Sequence, residues 1–184
     1  MSELTELYEE ITACQRCILA QGRTKAVPGE GPEGATLMFI GEAPGFHEDR
    51  QGRPFVGAAG KFLEELLASI DLKREEVYIC NVIKCRPPGN RDPDPEEIRT
   101  CRPFLERQLA AINPRVICTL GAHATRTLLN TRESIFALRG RFHDFGGIKV
   151  MPTFHPAFLL RNPDQKRAVW EDMQKIMAAL DIPH

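Results

Sequence analysis

The sequence predicts an α/β fold, a three-layer sandwich in which a small four-stranded parallel sheet is flanked by helices. Three observations predict it. Short runs rich in strand formers occur at Ala35–Ile40, Val77–Val82, Arg115–Leu120 and Ile148–Thr153. The stretches between them carry the three-to-four-residue apolar spacing of helices, and strands separated by helices pair in parallel through right-handed crossovers. The chemically unusual residues gather just after the strand runs: GEAPG, Asn81 to Cys85, GAHA and FHPAFLLR. Open parallel sheets bind ligands outside the carboxyl ends of their strands, so four separate segments converge on one rim.

The helices follow in order. KFLEELLASI places Phe62, Leu63, Leu66, Leu67 and Ile70 on one face of a helix over Lys61–Ile70. Asp94-Pro95-Glu96-Glu97 resembles a capped start with proline at the first position, leading into Ile98, Phe104, Leu105 and Leu109. After Gly121 a helix carries Ala124, Leu128 and Leu129. Pro163-Asp164 opens a last helix through Val169, Trp170, Met173, Ile176, Met177 and Leu180. Residues 84–95, KCRPPGNRDPDP, form a proline-rich loop ordered by whatever Cys85 binds.

A chain of 184 residues is about one domain long, so 1–184 is read as a single domain. With 42% hydrophobic and 27% charged residues it can bury a core. Net charge is −1, so any nucleic-acid contact must come from a local basic patch. No apolar run approaches the roughly 18 residues of a membrane span, so no membrane partner is expected. The start, MSELTELYEE, is acidic and unlike a secretory signal, which makes a cytoplasmic location the expectation. For oligomeric state, a monomer is taken as the default.

Six cysteines divide into two kinds. Cys80 and Cys118 sit inside apolar runs and read as small buried hydrophobes. Cys14, Cys17, Cys85 and Cys101 stand in polar, arginine-flanked settings, where positive charge favours thiolates, and read as ligands. A four-cysteine zinc site usually shows two close pairs, and only Cys14 and Cys17 form one here.

At the rim, Gly41-Glu42-Ala43-Pro44-Gly45 is a tight turn that presents backbone N–H groups, with Glu42 able to hold water or face a cation. Phe55 lies among Pro54, Gly57 and Gly60, which suits either a stacking platform or core packing. Asn81 ends the second strand as a turn residue or as an amide that reads a base edge. His155 is either a structural group or part of the site. Phe158, Leu159 and Leu160 before Arg161 are either a helix face or a wedge with a phosphate contact.

GEAPG-x2-ED-x2-G-x-PFVG-x2-G, CNVIKCRPPGNR and HPAFLLR resemble the family-four uracil-DNA glycosylases, the iron–sulfur branch of their superfamily. The likeness runs from Cys14 to about Trp170. It implies a four-stranded parallel sheet and removal of uracil from single- or double-stranded DNA, leaving an abasic site for base excision repair. It also implies a [4Fe–4S] cluster on Cys14, Cys17, Cys85 and Cys101, which ties residues 1–30 to the core. Phe55 would stack on uracil and Asn81 would read its edge. His155 would meet the negative charge developing at O2, and the backbone of Gly41 and Ala43 would line the base. Where the best-known branch has an aspartate this chain has Ala43, so Glu42 is the candidate for water. Where that branch has a tyrosine against thymine this chain has Gly45, and Glu48 is expected to fill the space. Leu159 or Leu160 would fill the vacated stack, with Arg161, Lys84, Arg86 and Arg91 on phosphates. The chain lacks the arginine- and histidine-rich insert of the branch that links covalently to DNA, so turnover is expected.

Two other readings stay open on the residues alone. One is a non-catalytic iron–sulfur or zinc module that binds nucleic acid. The other is a hydrolase of free nucleosides, against which the Phe-Leu-Leu-Arg segment argues.

Overall fold

In a computed structural model, which describes residues 2–181, the alternating runs become nine helices and five strands among the described residues. In chain order they are α1 (Glu3–Thr12), α2 (Leu19–Gly22), β1 (Leu37–Gly41), α3 (Phe46–Gln51), α4 (Ala58–Ala68), β2 (Tyr78–Asn81) and α5 (Pro95–Ile112). There follow β3 (Val116–Leu120), α6 (Ala122–Leu129), α7 (Ile135–Leu138), β4 (His143–Phe145), β5 (Ile148–Thr153), α8 (Pro156–Arg161) and α9 (Lys166–Ala179). The sheet order is β2-β1-β3-β5-β4. The four expected strands pair in parallel, and β4 adds an antiparallel edge.

That fifth strand corrects the four-stranded expectation. It is three residues long and half exposed, so it carries no apolar run of its own. Its signal is the turn: Gly146 and Gly147 take φ of 55° and 90°, the geometry a two-residue hairpin loop needs and that glycine adopts without strain.

Side chains alternate across each strand and so face opposite layers. Met38, Ile40, Tyr78, Cys80 and Ile117 pack with α1 and α5, while Leu37, Phe39, Ile79, Cys118 and Met151 pack with α4 and α9. Helix α1, which the reading above did not assign, buries Leu4, Leu7 and Ile11 and is capped by Ser2, whose Oγ accepts the Thr5 N–H at 3.2 Å. Among the described residues no helix is long and apolar enough to cross a membrane.

Register decides what meets at the rim. Gly41 at the end of β1 lies opposite Asn81 at the end of β2. The chain leaving β5 begins α8 at His155, and the loop after β2 runs through Cys85 and Asp92 before α5.

Candidate active site

The turn after β1 is open because glycine is there. A side-chain carbon on Gly41 would collide with Asn81 Oδ1 and lie 2.6 Å from the Phe55 ring, so the amide and the ring both press against the Gly41 backbone. Phe55 itself has φ of 50°, a left-handed geometry rare for a bulky residue. Arg74 holds it there: Nη1 donates to the Phe55 carbonyl at 2.6 Å and Nη2 to that of Pro54. Gly60 packs on the same carbonyl with no room for a side chain.

These groups line a cleft of about 590 Å³ at the carboxyl ends of β1, β2 and β5. Asn81 is buried, and its Oδ1 has no hydrogen-bond partner. An unpaired buried acceptor is costly, and such a group calls for a partner, whether an ordered water or a ligand. The His155 ring lies 5.7 Å from that of Phe55. The Ala157 N–H donates to His155 Nδ1 at 3.0 Å, which leaves the ring's proton on Nε2. Burial first, then the charge of Arg161, pushes the His155 pKa down to about 4, so the ring is neutral at ordinary pH.

Glu48 fills the space beside Gly45. Its carboxylate accepts the N–H groups of Gly45, Val56 and Gly57 at 3.0, 2.8 and 2.9 Å, fastening the turn to the Phe55 segment. Glu42 lines the cleft with Ala43, and its pKa is raised, chiefly by burial. Asp92 and His123 meet it there: one ligating atom of each of the three lies within 4.8 Å of the others. The sequence reading flagged both surrounding segments, the proline-rich loop and GAHA, without assigning either side chain.

The wedge needs correction. Leu159 is 0% exposed and belongs to the core with Phe154 and Met173, whereas Leu160 is 47% exposed. Six residues of helix alternate these two leucines between core and solvent, so only Leu160 is free to enter a base stack. Arg161 lines the cleft. Lys84 is 1% exposed and bonds Asn81 O at 2.5 Å and Gln108 Oε1 at 2.6 Å, so it is no phosphate contact. Arg91 is occupied by Glu97 at 2.9 and 2.8 Å, and Arg86 Nε donates to Asn90 Oδ1 at 2.7 Å.

Cys14, Cys17, Cys85 and Cys101 line one chamber next to this cleft, all as free thiols, while Cys80 and Cys118 are buried in the core. At Cys85 and Cys101 the expected thiolate preference is not what the protein alone produces. Burial pushes Cys85 up despite a 3.1 Å bond from Arg23 Nη1, and pushes Cys101 up to about 11 despite Lys84. A tetrahedral zinc ion would draw its sulfurs to about 3.8 Å of one another. Among the described residues the only group of three or more ligating atoms within 4.8 Å is the one at Glu42, so no three of these sulfurs are that close. Four thiols spread around a largely apolar chamber fit a cluster of several irons better than a single ion.

A family model described as the uracil DNA glycosylase superfamily matches residues 28–174. A protein of Thermotoga maritima named type-4 uracil-DNA glycosylase is 49% identical over 178 residues, covering 94% of this chain and 93% of its own. Proteins of the same name from Saccharolobus solfataricus and Sulfurisphaera tokodaii are 47% and 46% identical, over 98% and 96% of this chain and 88% and 84% of theirs.

Proposed function

We infer, for a chain that belongs to the uracil DNA glycosylase superfamily and to its type-4 members, that the rim cleft removes uracil from DNA by hydrolysing its N-glycosidic bond. The observation that carries this is the orphaned, buried Asn81 Oδ1 beside the Phe55 ring. It is an acceptor waiting for a flat donor such as uracil N3–H, with a face on which that base can stack.

A base within a duplex is out of reach, so it swings out at a cost of a few kcal/mol, and Leu160 fills the gap. Phe55 stacks on the base, the Asn81 amide pairs with N3–H and O4, and the backbone of Gly41 and Ala43 lines its edge. Glu48 closes the side where a thymine methyl would sit. As the bond breaks, the sugar becomes cationic and the base anionic. His155 Nε2–H donates to O2 of that anion, a contact that strengthens only as charge develops and therefore speeds the reaction. Because the ring is already neutral, it donates a hydrogen bond without having to lose its proton. Glu42 faces the cationic sugar and orients the water that adds to it. The base leaves as the anion and takes up a proton, and the DNA keeps an abasic sugar. Arg161 holds a flanking phosphate.

Cys14, Cys17, Cys85 and Cys101 would hold a [4Fe–4S] cluster, whose chemistry here is a cross-link between residues 1–30, the 85–101 segment and the core, with no electrons used in hydrolysis. The chain alone supplies the side chains that line the cleft, and we propose a monomer acting in the cytoplasm, where reduced cysteines remain available as ligands. The test is base release from oligonucleotides carrying one uracil, single- and double-stranded, against deoxyuridine and matched cytosine controls. Release from deoxyuridine but not from DNA would make it a nucleosidase. DNA binding without release would make it a non-catalytic module.

A further inference from the structure

Three elements with no sequence proximity deliver Glu42, Asp92 and His123 to one point. Glu42 directly follows β1, Asp92 sits in the loop between Cys85 and α5, and His123 lies in the first turn of α6. Their ligating atoms lie within 4.8 Å of one another, and His123 Nε2 is 3.4 Å from Asp92 Oδ2. Asp92 is exposed, whereas His123 and Glu42 are both partly buried.

We propose that Asp92 and His123 are a positioning pair that fixes the aim and the charge of Glu42, so that the loop carrying Asp92 completes the site. The proposal rests on the reading of Glu42 as the carboxylate that orients water. Two carboxylates this close cannot both carry full charge without a cation or a shared proton. Burial already pushes Glu42 up, the charge and hydrogen bond of Asp92 push it further, and a protonated His123 opposes them. The other charged groups around the cleft are otherwise engaged. Glu48 on α3 is saturated by three backbone N–H groups, Arg91 is turned to Glu97, and Arg161 bears on His155. On top of burial, the two side chains named adjust the charge on Glu42, and they pull in opposite directions.

Opposite pulls make a signed test. The single-turnover rate of uracil release is measured against pH, with E42Q identifying the acid limb that belongs to Glu42. Asp92→Asn removes the group that favours the neutral acid, so the limb moves to lower pH. His123→Gln removes the group that favours the carboxylate, so the limb moves up. One pH unit below the wild-type midpoint, the first variant should be faster and the second slower, each by about threefold, as expected of charges a few ångströms apart near solvent. The same displacements are read without any turnover from the ¹³C chemical shift of the Glu42 carboxyl across a pH titration. Opposite shifts in both variants support the pair. Shifts of the same sign, an unmoved carboxyl, or a limb that survives E42Q overturn it. If the wild type releases no uracil, the functional reading fails, and the carboxyl titration still decides whether the pair governs Glu42.

Discussion

Arg74→Met should loosen the base-stacking ring without touching the cleft lining. Phe55 sits at φ of 50°, which costs about 1–3 kcal/mol for a residue of its size. The Arg74 guanidinium opposes that strain with bonds to the carbonyls of Phe55 and Pro54, and its side chain is only 8% exposed. Hydrogen bonds from a charged donor contribute about 1.5–3 kcal/mol each, so two of them match or exceed the strain, and their loss lets the backbone relax. Relaxation carries the ring off the pose it holds against Gly41. Stacking of a base on an aromatic ring is worth about 1–3 kcal/mol, so affinity for free uracil, read as product inhibition or by calorimetry, should fall roughly 5- to 150-fold. Arg53→Met is the control: Arg53 binds Glu30 at 2.9 Å, as Arg74 does at 3.1 Å, but its side chain makes no bond to the Phe55 backbone and is 54% exposed. It should leave uracil affinity within about twofold, as expected for an exposed ion pair. A variant at Arg74 that melts earlier yet binds uracil as the wild type does would refute the reasoning, because Arg74 would then only staple the loop.

Other substitutions separate the remaining roles. Cys85→Ser should bleach a brown preparation and lower its iron content, whereas Cys118→Ser, in the core away from the chamber, should keep both; equal iron in the two variants sinks the ligand assignment. Asn81→Ala should reduce uracil excision sharply, and Asn81→Asp should lose more than its size implies while gaining slight release of cytosine, measured on oligonucleotides differing at one base; unchanged selectivity in both would make Asn81 a strand end only. His155→Gln should slow single-turnover release roughly 10²–10³-fold, the loss of one transition-state contact. The folded His155 pKa of about 4 lies below the ordinary 6.5, so its neutral burial adds stability that is complete above about pH 6.5 and is lost as pH falls toward 4. His155→Gln should flatten that stretch of the stability curve, and an identical curve would show that the ring is not buried neutral.

What the sequence made legible was whatever short-range pattern decides. Apolar runs bounded by glycine and proline located four of the five strands within a few residues, because buried parallel strands need such runs. The helices with three or more apolar residues on one face were found, but α1 was passed over, since its glutamates obscured the Leu4, Leu7 and Ile11 stripe. At the rim, the turn, the asparagine and the histidine stood out because glycine, proline and polar residues after an apolar run are hard to place in a core. Direction was not legible. Leu159 and Leu160 look alike in sequence, and only the packing of α8 decides which one faces the core. Lys84 reads as a surface cation among arginines until β2 and α5 close over it. Arg74, which no motif marks, becomes meaningful only once the Phe55 backbone geometry is known.

Lys84 also explains why cysteines so far apart in sequence bear on a base-reading residue. Its Nζ bonds the backbone carbonyl of Asn81 and the side chain of Gln108 on α5. Gln108 Nε2 donates in turn to the Pro28 carbonyl at 2.7 Å and to the Tyr78 hydroxyl at 2.9 Å, and Tyr78 meets Tyr8 of α1 at 2.6 Å. A buried amine is tolerated only when such partners surround it, and removing one partner leaves the rest unpaired at a cost of about 1–3 kcal/mol apiece. The polar chain therefore runs from Tyr8 on α1 through Tyr78 on β2 and Gln108 on α5 to Lys84 and the carbonyl that ends β2, with a branch to Pro28, and the flanking segments carry Cys14, Cys17, Cys101 and Cys85. Anything that lets the N-terminal segment or α5 drift strains the bonds that hold the Asn81 backbone, while Oδ1 of its side chain has no hydrogen-bond partner among the described residues. The polar chain thus links the segments of the thiol chamber to the cleft, and under the function proposed above a group bound by the four sulfurs would steady the carbonyl side of Asn81 without lying in the path of the reaction.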